Sequence, residues 1–216
     1  MDPPRYRSFI LESTRPITPP LLPEITLRLA TEVVPLWQAT EAVLATLGLP
    51  PPYWAFCWPG GQALARYVLD HPEIVAGRAV LDFAAGCGVA GICAASRGGK
   101  VIANDIDPFA IIAIDVNAKL NNVALSVSGT DFLTAPTAPV EIVLAGDVCY
   151  EQAMARAAEH WLRARAREGA LVLLSDPGRA YRPRVGLEFR AEYEVPTLLE
   201  LEDREMRGTT IWRVLP

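Results

Sequence analysis

Short apolar runs alternate along this chain with longer segments whose apolar residues have helical spacing. The apolar runs, each of a length typical of a buried strand, lie at about 80–83, 100–104, 124–129, 140–146 and 169–175. Helices are predicted between them, at 62–69, after the glycines that follow residue 83, at 108–122 and at 151–167. Two further strand-like runs, 187–197 and 208–215, close the chain. This order predicts an α/β, doubly wound Rossmann-like sheet with helices on both faces and an antiparallel edge formed by the terminal strand pair.

The first fifty residues differ from the rest in their proline content. Six prolines lie between residues 3 and 23, which disfavours a long helix and favours extended segments. A helix with Pro35 in its first turn is predicted over 35–47. We therefore divide a single domain, residues 1–216, into an N-terminal arm and helix over 1–50 and a cofactor-binding core over 51–216. The arm serves either as a strap over the domain or as part of a partner-binding face.

The segment 80–107 reads as strand, glycine loop, helix and second strand, ending in an acid. Gly86 and Gly88 suit a loop whose backbone N–H groups approach a ligand. Asp105 stands at the tip of the second strand, 23 residues after Asp82, close to the spacing of an acid that binds ribose hydroxyls. The pattern predicts a nucleoside site; the alternative is a tight turn in an α/β fold that binds no ligand.

The position of Asp82 decides between kinds of nucleoside. It lies four residues before Gly86, where a carboxylate repels a pyrophosphate but accepts a hydrogen bond from an ammonium group. A ligand with a ribose and an amino-acid end fits this arrangement, and S-adenosylmethionine has both. A nicotinamide cofactor is the disfavoured alternative.

Three further places carry candidate chemistry. The aromatic segment 53–58, which includes Trp58, either fills the core or lines a pocket for a cation. Asp131 follows the third strand of the core and is either an acceptor for the amine of adenine or a solvated loop acid. Asp147 and Tyr150 come at the end of the fourth strand, where open α/β sheets bind ligands.

The composition of the chain disfavours several classes of partner. A net charge of −5 without a lysine-rich run disfavours nucleic acid, and the absence of an apolar run of about 20 residues disfavours a membrane span. Two histidines and four cysteines without a C-x-x-C pair offer little material for a metal site, so none is predicted. The N-terminus lacks the pattern of a signal peptide, and we expect a cytoplasmic protein with reduced thiols.

Taken together, the motifs "LDFAAGCGVAG", "NDIDP", "GDVCY" and "SDPGR" resemble those of the seven-β-strand S-adenosylmethionine-dependent methyltransferases. With "PEITLRLAT" and "PYWAFCWPGGQALARYVLD", they are similar to the branch that methylates lysines of the electron transfer flavoprotein β subunit. The resemblance implies seven strands with the last one inserted antiparallel. It also implies that the chain is an enzyme, with that β subunit as its protein substrate. Eukaryotic members carry a mitochondrial presequence that this chain lacks, which points to a bacterial enzyme.

The resemblance also assigns roles to individual positions. Asp82, Gly86 and Gly88 correspond to the loop beside the methionine part of the cofactor, Asp105 to the ribose acid, Asp131 to the surroundings of adenine and Trp58 to a pocket aromatic. Asp147 and Tyr150 correspond to the acid and aromatic residue near the acceptor lysine, and are the catalytic candidates. Two other functions remain open: a methyltransferase that acts on a ribosomal protein, and a non-catalytic interaction protein that binds S-adenosylmethionine.

Overall fold

A computed structural model describes residues 3–31 and 51–216, so the helix predicted over 35–47 lies outside the described residues. The helices are α1 (Pro3–Ser13), α2 (Pro59–Asp70), α3 (Val89–Ser96), α4 (Pro108–Leu120), α5 (Gln152–Arg167) and α6 (Leu199–Glu202). The strands are β1 (Arg15–Ile17), β2 (Leu27–Leu29), β3 (Ala79–Phe83), β4 (Lys100–Asn104), β5 (Ser126–Ser128), β6 (Ile142–Gly146), β7 (Leu171–Asp176), β8 (Leu187–Pro196) and β9 (Met206–Val214).

Seven of these strands form one sheet in the order β5-β4-β3-β6-β7-β9-β8. The five strands from β5 to β7 pair in parallel, and β9 runs antiparallel to both of its neighbours. The predicted fold, a doubly wound sheet with the last strand inserted antiparallel, is confirmed. The terminal hairpin β8–β9 places its tip, residues 197–205, at the same edge as the carboxyl end of β7, because Asp176 pairs with Thr210 near the start of β9.

Helices cover the sheet on both faces because neighbouring strand residues point in opposite directions. On β3, Val80 packs in a buried cluster with Leu64 of α2 and Ala90 of α3. The next residue, Leu81, belongs to a second cluster with Leu162 of α5. The apolar runs of the sequence are therefore strands buried on both faces, as parallel strands between two helix layers are.

The N-terminal arm contains a helix that the proline pattern did not predict. Helix α1 extends over Pro3–Ser13, although the sequence favoured extended segments there. The correction has a simple cause: Pro3 and Pro4 occupy the first turn, where a missing N–H costs nothing, and Pro16 follows the helix end. Ile10 of this helix is buried, and Tyr6 packs its ring edge-on against Phe109 of α4, with 4.4 Å between ring centroids. The arm thus lies against the core domain.

Candidate active site

Acidic side chains collect where the parallel strands end. Asp105 follows β4, Asp147 follows β6, and Asp176 is the last residue of β7. Since these strands are parallel, their carboxyl ends share one edge of the sheet, which we call the ligand edge. The predicted glycine loop joins β3 to α3 at the same edge.

The glycine loop is closed by a hydrogen bond to Asp105. The N–H of Gly86 donates to Oδ2 of Asp105 over 2.9 Å, so the loop and the predicted ribose acid meet. Gly86 and Gly88 have φ of 54° and 83°, a left-handed conformation that glycine adopts without strain. A Cβ placed on Gly86 would meet no atom within 4 Å, so its backbone faces open space where a ligand can approach.

Asp82 lies inside β3 with its side chain turned to the start of α3. Oδ2 accepts a hydrogen bond from the N–H of Gly91 over 2.7 Å. The pKa of Asp82 is raised to about 7, chiefly by burial and also by the charge of Asp105, while the Gly91 hydrogen bond acts to lower it. Burial also raises the pKa of Asp105. A ligand group with positive charge would offset the cost of ionising these carboxyls.

Two buried residues beside this loop were not singled out from the sequence. Asn104, at the end of β4, donates from Nδ2 to the carbonyl oxygens of Ser128 and Thr130, each over 2.9 Å. Asp107 begins α4, with Oδ1 accepting from the N–H of Phe109 over 2.8 Å. An acid directly before a proline and an apolar helix is a recognisable helix start, so Asp107 had a signal in the sequence. For Asn104 the signal was only a polar residue at the end of an apolar run.

Asp131 lies in the turn that follows β5 and is exposed. Its carboxylate is used locally: Oδ1 accepts from the N–H of Leu133, and Oδ2 from the hydroxyl of Thr134, both over 3.0 Å. The carbonyl of Thr130 that Asn104 holds is one residue away, so Asn104 and Asp131 together fix this turn at the ligand edge. A role of Asp131 beside adenine stays a prediction.

Asp147 is held in place from two sides. Arg179 donates to both of its carboxylate oxygens, from Nε to Oδ1 over 2.6 Å and from Nη2 to Oδ2 over 3.1 Å. The N–H of Gly60, in the first turn of α2, donates to Oδ2 over 3.2 Å. The φ of Asp147 is 61°, an uncommon backbone conformation of the kind that concentrates at functional sites. The side chain is only 6% exposed.

The pair continues into a longer charged chain that sequence reasoning missed. Nη1 and Nη2 of Arg179 donate to the two oxygens of Glu202, and Nε of Arg207 donates to Oε2 of Glu202 over 3.0 Å. Burial alone lowers the pKa of Arg179, but the hydrogen bonds that it donates to Asp147 and Glu202 raise it above its ordinary value. The motif "SDPGR" contained Arg179, but nothing in the sequence pointed to its partner Glu202, in α6 of the β8–β9 connection.

An aromatic group, Tyr53, Trp58 and Tyr150, lies beside Asp147. Tyr53 is at its centre, with ring centroids 5.8 Å from Trp58 and 5.3 Å from Tyr150. Nε1 of Trp58 donates to the carbonyl of Tyr53 over 2.9 Å, which fixes the indole. Tyr150 is 48% exposed, so the group has a face open to solvent. The structure therefore brings the predicted Trp58 and Tyr150 together through Tyr53.

The start of α2 lies directly on the strand ends that carry Asp147. A Cβ on Gly60 would come within 2.5 Å of the Asp147 nitrogen and 2.9 Å of the Ser175 carbonyl. A Cβ on Gly146 would come within 3.0 Å of Gly61. Only glycines allow this approach, which sets Trp58, two residues before Gly60, at the ligand edge.

The site fits a nucleoside with a cationic end, and among the described residues no cluster of three or more metal-ligating side chains was found. The buried carboxyl of Asp82 and the half-buried carboxyl of Asp105 accept hydrogen bonds from the start of α3 and from the glycine loop, and the backbone at Gly86 is open. Aromatic faces beside Asp147 suit a sulfonium. These features match S-adenosylmethionine better than a pyrophosphate cofactor.

Comparison with known proteins decides the family. A family model described as lysine methyltransferase matches residues 55–179, which include Trp58, the glycine loop, Asp147 and Arg179. The chain belongs to this lysine methyltransferase family. It is an S-adenosylmethionine-dependent methyltransferase, and the hypothesis of a nicotinamide enzyme is set aside.

Relatives resemble the chain over almost its whole length. The electron transfer flavoprotein beta subunit lysine methyltransferase of Danio rerio is 39% identical, with 96% of this chain and 82% of the relative aligned. That of Xenopus laevis is 40% identical over 97% of this chain and 87% of the relative. Among solved structures, magnesium protoporphyrin IX methyltransferase from Synechocystis with bound SAM has a TM-score of 0.52 at 14% identity, covering 71% of this chain and 77% of that one. At this identity it supports the fold alone.

Proposed function

We propose that this protein transfers methyl groups from S-adenosylmethionine to lysine side chains of the electron transfer flavoprotein β subunit. The observation that carries the proposal is identity of 39–40% with enzymes of that name over nearly the whole chain. The similarity includes the arm and the terminal hairpin, which lie outside the residues matched by the family model. Those outer elements are where a methyltransferase of this fold has room to recognise one particular protein.

The cofactor supplies a methyl carbon that is already electrophilic because it is bonded to a sulfonium. The lysine nitrogen forms a bond to that carbon while the carbon–sulfur bond breaks, and its electron pair goes to sulfur. A lysine with a pKa of about 10.4 is mostly protonated at neutral pH, so its amine must first lose a proton. The residues of this chain therefore have two tasks: they orient the amine, and they favour its neutral form.

Asp147 is proposed to orient the amine. Its carboxylate accepts three hydrogen bonds, from Arg179 twice and from Gly60 once. A carboxylate has about four acceptor sites, so one remains for an N–H of the lysine. Because Arg179 neutralises its charge, Asp147 serves as a fixed acceptor rather than as a base, and water takes the proton.

Trp58 and Tyr150 are proposed to surround the reacting groups. Aromatic faces attract a sulfonium and cover the apolar stem of lysine, and the loss of water from the stem lowers the pKa of the amine. Burial raises the pKa of Tyr150 to about 12, so its phenol stays protonated at neutral pH. It can therefore donate a hydrogen bond but is not available to take a proton. Replacing Tyr150 with Phe removes the hydroxyl but keeps the ring, so it would separate the hydrogen bond from the aromatic contact.

The function is tested by mixing purified protein and labelled S-adenosylmethionine with the flavoprotein β subunit or, separately, with a ribosomal-protein extract. Mass spectrometry then locates the label. The Asp147→Asn variant, which keeps the size of the side chain, is the matched control and should bind cofactor but transfer little. Label on β-subunit lysines supports the proposal, whereas label only on ribosomal proteins would assign a different substrate.

If no label is transferred although the cofactor binds tightly, the chain is a binding protein rather than an enzyme.

We propose the cytoplasm as its compartment, since the cysteines in the described residues, Cys57, Cys87, Cys93 and Cys149, are all free thiols. No helix in 3–31 or 51–216 has the length and apolar character needed to cross a bilayer.

A further inference from the structure

An apolar cavity of about 290 Å³ lies beside the aromatic group. Its described walls come from the arm (Pro19 and Pro20), the aromatic segment (Trp58), the start of α2 (Pro59) and the tip of the β8–β9 hairpin (Leu201). Trp58 thus belongs both to the aromatic group and to the cavity wall. The hairpin tip lies at the ligand edge, so the cavity lies at the same edge of the sheet as Asp147.

One polar atom in the cavity wall needs a partner. Gln62, in the first turn of α2, lines the cavity and is only 5% exposed. Its Nε2 donates to the carbonyl of Cys57 over 2.7 Å, which fixes the amide so that Oε1 is the remaining acceptor. Within the described part of the chain Oε1 has no hydrogen-bond partner. A buried acceptor without a partner costs free energy, and a ligand N–H would remove that cost.

The cavity wall carries no spare negative charge. Its titratable described residues are Cys57 and Glu202. Burial, with Cys57 close to other thiols, raises the pKa of that thiol, so it is neutral. The carboxylate of Glu202 is shared between Arg179 and Arg207, and Arg179 also neutralises Asp147. The carboxylates of Asp147 and Glu202 are thus balanced by the guanidinium groups of Arg179 and Arg207. A substrate side chain that is always charged, such as arginine, would have no unpaired carboxylate to neutralise it here.

We propose that this cavity receives the acceptor lysine, with Oε1 of Gln62 accepting an N–H of its neutral amine. The inference rests on the proposed function and adds to it the position of the lysine. Lysine combines an apolar stem with N–H donors at its end, and it can enter an uncharged cavity by losing the same proton that it must lose before methyl transfer. The cavity selects the reactive form of the substrate.

The position of Gln62 agrees with the role given to Asp147. A neutral amine has two N–H groups and needs two acceptors. Asp147 is hydrogen-bonded to Gly60, and Gln62 follows two residues later in the same helical turn. The first turn of α2 therefore both contacts Asp147 and carries Gln62, to which we assign the role of a substrate-binding residue.

The first test changes Gln62 alone. Gln62→Leu removes the acceptor and should lower kcat/KM for the flavoprotein β subunit by about 10- to 100-fold, with the Kd for S-adenosylmethionine unchanged. Gln62→Glu places a carboxylate in the cavity, which favours the ammonium form, so the rise of kcat with pH should shift upward by about one unit or more. Gln152→Glu, an exposed residue at the start of α5, is the matched control and should shift nothing.

The second test leaves Gln62 intact, in case its variants fold poorly. Leu201→Trp fills the cavity from the hairpin tip and should lower kcat/KM at least 100-fold while cofactor binding persists. Leu120→Trp, at the far end of α4, adds the same bulk on an exposed surface and should have no effect. Wild-type rates in both Leu201→Trp and Gln62→Leu would overturn the inference.

A third readout does not depend on the protein substrate. In saturation-transfer NMR with S-adenosylhomocysteine present, n-butylamine, which mimics the lysine side chain, should contact wild-type protein and lose that contact in Leu201→Trp. If wild-type protein methylates no β subunit yet binds n-butylamine in this way, the proposed substrate fails and the cavity stands. Equal n-butylamine signals in wild type and Leu201→Trp would reject the cavity whatever the substrate is.

Discussion

Two neighbouring glycines at the start of α2 provide a sensitive test of how the site is built. Alanine is a better helix former than glycine by up to about 1 kcal/mol, so on propensity alone both Gly60→Ala and Gly61→Ala should stabilise the protein. The surroundings differ. A Cβ on Gly60 would overlap the Asp147 nitrogen at 2.5 Å and the Ser175 carbonyl at 2.9 Å, both backbone atoms. A Cβ on Gly61 meets only a methyl group of Val89, at 3.1 Å, which can move.

We therefore expect one substitution to lower stability at Gly60 and to leave it nearly unchanged at Gly61. Overpacking costs about 1–3 kcal/mol, so after the helix gain Gly60→Ala should be destabilised by about 1–2 kcal/mol, and Gly61→Ala should stay within about 0.5 kcal/mol of wild type. Gly60→Ala also pushes α2 away from Asp147, and a displacement of about 1 Å in an active site can cost about 100-fold in rate.

Urea unfolding measures the stability of both variants, and label transfer to the β subunit measures their rates. The Kd for S-adenosylmethionine distinguishes a local effect at Asp147 from general damage to the fold. Gly60 contacts Asp147 rather than the glycine loop, so a local effect should leave this Kd unchanged. Equal stability and equal rate in the two alanine variants would refute the close approach of α2 to the strand ends.

Two further predictions concern the charged residues. Because the pKa of Asp82 is raised to about 7, the free protein binds a proton there below pH 7, and an ammonium-bearing cofactor favours the ionised form. Calorimetry from pH 8 to pH 6 should show S-adenosylmethionine binding that weakens below pH 7 by at most about tenfold per unit, and Asp82→Asn should remove this dependence. Lysine cannot bond to two carboxylates in the fork geometry of arginine, so Arg179→Lys should lower kcat at least about tenfold with the cofactor Kd little changed. Arg190→Lys, on the exposed edge strand β8, is its control, and equal rates would show that Arg179 does not position Asp147.

The fold and the strand-loop-helix-strand unit that carries Gly86 and Asp105 could be predicted from the sequence because their signals are local. Apolar runs of strand length mark buried parallel strands, and their alternation with helical spacing sets the order of elements. Gly86 and Asp105 are joined by a hydrogen bond across only 19 residues, within one strand-loop-helix-strand unit. Such a unit has one common geometry, so the contact followed from the pattern.

Asp147 and Tyr150 were predicted, but the contacts that hold Asp147 could not be, because they are distant in sequence. Arg179 reaches Asp147 across 32 residues and Glu202 across 23 residues. Glu202 lies in a short helix within a charged stretch, where a solvated acid is the ordinary expectation, yet it is 3% exposed. The hairpin β8–β9 folds back to the ligand edge and brings Glu202 to Arg179. The helix in the arm was missed for another reason. Proline is excluded from the interior of a helix but is allowed in its first turn.

The carboxylate of Asp147 is consequently set by three parts of the chain that have no local relation. Gly60 contacts it from α2, Arg179 from the loop after β7, and Glu202 holds Arg179 from the hairpin tip. Loss of Glu202 would leave Arg179 with Asp147 alone, free to pull the carboxylate away from Gly60. We therefore expect that the acid and aromatic pair, Asp147 and Tyr150, does not suffice for activity without Glu202. A chain that kept this pair but lost Glu202 should bind cofactor normally and transfer methyl groups slowly.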